Sequence, residues 1–145
     1  MRTQKPWREK MQRDAKIVAI PPKRQKRFGR GKMLIPSPLD VEALIRSIPR
    51  GKVITQSQIR ERLAKAAGVD CACPMTTGIF VRIVAEAAAE DARAGKSPIT
   101  PYWRVVRDDG SLLEKLPGGP SMLAARLESE GHSIDRTGKL RVRLP

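Results

Sequence analysis

Few side chains in this sequence suit covalent chemistry. Cys71 and Cys73 are the only cysteines and His132 is the only histidine. Two cysteines one residue apart close an unstrained disulfide poorly, so no oxidising compartment is implied. Cys-x-Cys is also a thin basis for a metal site, which would need carboxylates to complete it. Cys73 stands in a loop nine residues ahead of Arg82, where a small loop residue is expected rather than a nucleophile. No cofactor is called for. The cations offer more. Twenty-nine Lys and Arg against fifteen Asp and Glu give a net charge of +14. Residues 1–32 hold twelve of those cations against only Glu9 and Asp14. Such an excess favours polyanions, because each cation near a phosphate releases condensed counterions. Nucleic acid is therefore the first partner to consider. A membrane surface fits less well, since the apolar run Ile17 to Pro22 is too short for a span or a signal sequence and the segment lacks a sustained apolar face. The expected location is cytoplasmic.

Residues 1–32 mix Lys, Arg, Gln and Pro with little periodicity and read as a loosely ordered basic arm, ahead of one folded domain over 33–145. In the domain, Ser37-Pro38-Leu39-Asp40 opens a helix with Val41, Leu44, Ile45 and Ile48 as its apolar stripe. Thr55 and Gln58 form a capping box for a second helix, with Ile59, Leu63 and Ala66 on one face and Gly68 at its end. Thr76 or Thr77 can cap a third helix, burying Ile79, Phe80, Ile83, Val84, Ala87 and Ala88 and leaving Arg82, Glu86 and Arg93 on other sides. The second and third helices suggest a helix-turn-helix, the last exposing an Arg amid small residues. Trp103 to Arg107, a turn at Asp108 to Ser111 and Leu112-Leu113 read as a hairpin wing. A helix after Gly118-Gly119-Pro120 buries Met122, Leu123 and Leu127, and Lys139 to Leu144 alternates as a half-buried strand. The fold class is α/β, mainly helical: a winged helix-turn-helix.

In order and spacing, several of these segments resemble the DNA alkyltransferases that remove alkyl groups from the exocyclic oxygen of guanine. Pro49-Arg50-Gly51-Lys52-Val53 is similar to the family's Pro-x-Gly-Lys-Val turn, followed by Ser57-Gln58-Ile59. Arg82-Ile83-Val84-Ala85 resembles the Arg-x-Val-Gly stretch of the recognition helix. Pro101-Tyr102-Trp103-Arg104-Val105-Val106 stands where the family has Pro-Cys-His-Arg-Val-Val. Gly118-Gly119 and Leu127 with Glu130-Gly131-His132 resemble the elements that close the domain.

What the resemblance implies depends on the departures. Repair needs a thiolate, with a His and a Glu linked through water to manage the proton. Glu130 is kept, but Tyr102 and Trp103 replace thiol and imidazole. A phenol with a reference pKa of about 10 is a poor nucleophile at neutral pH. The implied protein is non-enzymatic, like the cysteine-less alkyltransferase-like members, which bind alkylated DNA without repairing it. By position, Arg82 is the cation that enters the minor groove and fills the gap left by a flipped nucleotide. Gln56 replaces a Tyr that helps rotate the nucleotide, and with Thr55 and the helix amides it could hold a phosphate. Thr77, Ala85 and Arg104 complete the implied DNA contacts. Tyr102, Trp103, Leu116, Pro117, Gly118 and Glu130 surround the implied base pocket. Pro117 lacks a hydroxyl and an amide hydrogen, which weakens guanine contacts. The two rings either stack on an extrahelical base or fill the old pocket. The expected partner is duplex DNA, bound by a monomer, with recognition of alkylated bases and a downstream repair protein as extensions; an architectural or regulatory DNA binder is the alternative.

Overall fold

The computed structural model describes residues 6–144. A 3-10 turn over Trp7–Met11 leads to β1 (Lys16–Ala19), α1 (Pro22–Phe28) and β2 (Lys32–Ile35). These are followed by α2 (Pro38–Arg46), β3 (Ile54–Thr55), α3 (Gln56–Ala67), β4 (Cys71–Ala72) and α4 (Pro74–Arg93). Then come β5 (Val105–Val106), α5 (Gly119–Ser129), β6 (Ile134–Asp135) and β7 (Arg141–Val142).

The local rules behind α2 and α3 operate as read. The Ser37 hydroxyl accepts from the Asp40 amide and Pro38 occupies the first helical turn. At α3 the capping box closes both ways, with Gln58 N–H donating to Thr55 Oγ1 at 3.2 Å and Thr55 N–H to Gln58 Oε1 at 2.9 Å. Gly68 ends α3 in the left-handed region at φ 69°.

Helix α4 begins earlier than expected. Cys73, not Thr76 or Thr77, is its cap residue, and Pro74 supplies the first position without needing an amide partner. Its buried face is also turned: Val81 is buried and Ile79 is 52% exposed. The reason is that α4 serves two cores at once. Phe80, Val81, Val84 and Ala87 pack with α2 and α3 residues such as Val41, Ile45 and Ile59. Ala85 and Ala88 pack into a second cluster with Tyr102, Trp103, Leu116, Leu123 and Leu127. A one-sided apolar stripe was the wrong template for a helix packed on two sides.

The wing is shorter than expected. Tyr102–Arg104 form a 3-10 turn, and β5 pairs in parallel with β3. Val106 meets Leu112 in one antiparallel bridge across a tight turn closed by Gly110 N–H to Arg107 O and Arg107 N–H to Ser111 O. The C-terminal strand completes it, with Val142 N–H donating to Gly110 O and Leu112 N–H to Leu140 O. As the alternation requires, Val142 is buried and Leu140 and Leu144 lie against the same cluster.

The loose arm expected over residues 1–32 is corrected from residue 6 onward, residues 1–5 lying outside the described residues. β1 pairs antiparallel with β2 from Lys16–Ile35 to Ala19–Lys32, and β2 pairs in parallel with β4. Met11 is fully buried in the main core and Trp7 packs against it. The amides of Trp7 and Arg8 donate to the two Glu90 carboxylate oxygens at 2.8 and 3.0 Å. The Arg8 guanidinium then joins α2 to α4 through Glu42 at 2.7 Å and Asp91 at 2.6 Å. Buried carboxylates supplied by the domain order this segment, and its own sequence does not advertise them.

Candidate nucleic-acid interface

Arg82 lies on the exposed side of α4, the second helix of the helix-turn-helix. Met75, Ile79 and Arg82 follow at spacings of four and three and share one face. Met75 is 60% exposed, so this face presents two large apolar side chains beside a cation. Among the described residues no ion pair joins Arg82 to Glu86. Sequence reasoning missed Met75 and Ile79 as surface residues. Knowing that α4 starts at Pro74 and packs on two sides would have found them.

The start of α3 is largely engaged already. The Thr55 hydroxyl is used in the capping box, and Asp108 from the wing turn accepts from the Ser57 amide at 3.0 Å and from the Ser57 hydroxyl. Those two Ser57 bonds and the nearby Arg60 and Arg27 charges hold the Asp108 carboxyl below its ordinary value. A carboxylate of the protein thus takes an amide that a phosphate was expected to meet, and Gln56 beside it is half-buried.

Three further expected DNA contacts lie wholly or largely inside the protein. Ala85 is fully buried against the second cluster. Thr77 is buried with its hydroxyl unbonded. Arg104 is turned inward: Nε and Nη2 donate to the two Glu130 oxygens at 2.9 and 2.7 Å, and Nη1 donates to the Ile48 carbonyl at 2.7 Å. Three of the five guanidinium N–H groups are thus engaged inside the protein, and the side chain is only 13% exposed.

The expected pocket residues do come together, as packed groups. Tyr102 is 3% exposed, Leu116 is buried beside it, and the Tyr102 hydroxyl donates to the Pro117 carbonyl at 3.1 Å. Burial pushes the Tyr102 phenol above its ordinary value. The Trp103 ring stands edge-on to Tyr102, centroids 5.5 Å apart, and its Nε1 donates to Glu130 at 3.0 Å. Arg126, not singled out in the sequence, lies 4.2 Å over the Trp103 ring. Burial alone would raise the Glu130 carboxyl. The hydrogen bonds from Arg104 and Trp103 and the Arg104 charge outweigh it and hold the group below its usual range. Gly118, at φ 91°, caps α5 at the edge of this cluster in a conformation that favours glycine. Cys71 and Cys73 are both buried, and Cys73 Sγ accepts from the Thr76 hydroxyl at 3.3 Å.

Residues 38–132 match the family model described as 6-O-methylguanine DNA methyltransferase, DNA binding domain. The chain belongs to this family. The region before residue 38 lies outside the matched span. The structure resembles that of S. pombe Atl1, which was crystallised in complex with damaged DNA containing O6-carboxymethylguanine. The identity is 23% and the TM-score 0.51, with 74% of this chain and 89% of that one covered, which is a likeness of fold. No curated protein matches the chain.

Proposed function

We propose that this protein binds duplex DNA through the minor groove, without enzymatic activity, and recognises alkylated or extruded bases. The observation that carries the reading is Arg82, exposed on the recognition helix, unpaired among the described residues, and set in line with Met75 and Ile79. Apolar side chains wedge against base steps and a cation fills the gap of a flipped nucleotide, offsetting part of a cost of a few kcal/mol. The fold likeness to a protein crystallised on O6-carboxymethylguanine DNA supports extending the reading to lesions.

The site residues support the non-enzymatic part. By the sequence resemblance Tyr102 stands at the family's acceptor position, and its buried phenol stays protonated at neutral pH. Its neighbour Trp103 is an indole, which donates but accepts no proton, and that donor is committed to Glu130. Receiving a base requires Tyr102 to release Pro117, at a cost of about 1 kcal/mol plus lost packing. Stacking on an aromatic ring returns roughly 1–3 kcal/mol, so the exchange is nearly balanced. On this reading the protein acts as a cytoplasmic monomer that marks lesions for a repair partner. The packed state of Tyr102 and Leu116 favours a second reading, an architectural or regulatory DNA binder with a filled pocket.

Binding of the full chain to matched duplexes with guanine or O6-methylguanine separates the two. Lesion recognition gives tighter binding to the methylated duplex, and Arg82→Ala loses that preference. Equal affinity for both duplexes leaves only the plain binder. Transfer of a labelled methyl group to the protein overturns the non-enzymatic assignment.

A further inference from the structure

The segment before residue 38, outside the family match, packs beside the helix-turn-helix and not away from it. β2 pairs with β4, the strand that lies in the turn between α3 and α4. Ile20, Met33, Cys71 and Cys73 form a small core there, with Phe28 of α1 packed against it. Cys73 of that core is also the cap residue of α4, which puts α1 next to the start of α4. On its other side, a groove of about 530 Å³ lined by Arg27, Phe28, Ser57, Arg60 and Lys65 runs between α1 and α3.

Helix α1 is two-faced. Arg24, Gln25 and Phe28 are half-buried, while Lys23, Lys26 and Arg27 are exposed on the opposite side. No salt bridge neutralises those three among the described residues. Asp70 accepts from the Lys32 amide at 2.9 Å and Asp108 from Ser57, and although Asp108 feels the Arg27 charge, neither carboxylate forms an ion pair with the three cations. A folded stripe of cations without ion-pair partners beside the recognition helix costs stability through self-repulsion unless a polyanion meets it.

We propose that α1, through Lys23, Lys26 and Arg27, is a second DNA-binding element that grips the phosphate backbone flanking the groove entered by α4. The proposal rests on the duplex-binding reading above and adds a footprint to it. The helical rise puts Arg82 about 13 Å along α4 from Cys73, which is the reach of roughly four phosphates on one strand. The clamp is therefore offset along the DNA from Arg82, and it reads backbone, not bases.

The test measures affinity of the full chain for the guanine and O6-methylguanine duplexes across a salt series. The triple variant Lys23→Gln, Lys26→Gln, Arg27→Gln is compared with an equal loss of charge away from α1, Arg46→Gln at the end of α2, Arg93→Gln at the end of α4 and Lys96→Gln just after it. Arg46 and Lys96 reach Glu42 and Asp91 only at 3.7 Å from exposed side chains, so both variants should melt close to the wild type. Each phosphate contact contributes about 0.9 to the slope of log affinity against log salt. The α1 variant should therefore flatten the slope by up to about 2.7 on both duplexes and keep any lesion preference, while the control keeps the wild-type slope. An unchanged slope in the α1 variant, or equal flattening in the control, overturns the clamp and leaves duplex binding standing. A wild-type protein that binds neither duplex overturns the clamp together with the reading beneath it.

Discussion

Glu130 illustrates how one retained residue changes its work when its neighbours change. Its carboxylate accepts from Trp103 and from two nitrogens of Arg104, with its own side chain 4% exposed. Removing one partner of a buried charged pair leaves the other uncompensated. Glu130→Ala should therefore cost about 3 kcal/mol in chemical denaturation. Because the folded-state pKa lies below the unfolded one, the stabilisation is fully present above about pH 4.3 and is lost as pH falls through the folded value. Acid melts of Glu130→Gln should lack that portion of the wild-type loss below pH ~4.3. The resemblance of Pro101-Tyr102-Trp103-Arg104 to the family motif was legible in the sequence. That Arg104 would be consumed by Glu130 and Ile48 was not, because a motif gives residue types and not which way a guanidinium turns.

Among the elements, α3 was the most legible and α4 the least. A capping box is a contract between residues three apart, so sequence alone carries it. Thr55→Ala should destabilise the protein by about 1 kcal/mol in urea denaturation, with the Gln58 amide then left without its acceptor. The phase of α4 depends on what packs on each side. Ala85 and Ala88 look as suitable for a surface as for a core, and only the Tyr102 cluster decides it. The same uncertainty hid Met75 and Ile79, now the apolar part of the candidate DNA face.

Taken whole, the molecule is a family domain with an N-terminal addition sewn onto it by three attachments: the Met11 side chain, the Glu90 and Arg8 bonds, and the β2–β4 pairing. A loose arm would tolerate truncation of any side chain. Instead Met11→Ala should cost about 3 kcal/mol by leaving a cavity in the main core, read as a lower denaturation midpoint with unchanged slope. A wild-type midpoint in that variant would mean the addition contributes nothing to the core.

By itself the sequence determined the helix starts at Ser37 and Thr55, the alternation of the last strand, the basic balance and the motif order that resembles the alkyltransferases, since each is local or compositional. Tertiary structure alone decided that the basic segment is folded, that Asp108 bonds the Ser57 amide, that Tyr102 is buried with its hydroxyl on Pro117 and that Met75 and Ile79 are exposed on the Arg82 face. Those outcomes depend on contacts between residues far apart in the chain, such as Arg8 with Asp91 and Ser57 with Asp108, whose distances no spacing rule encodes.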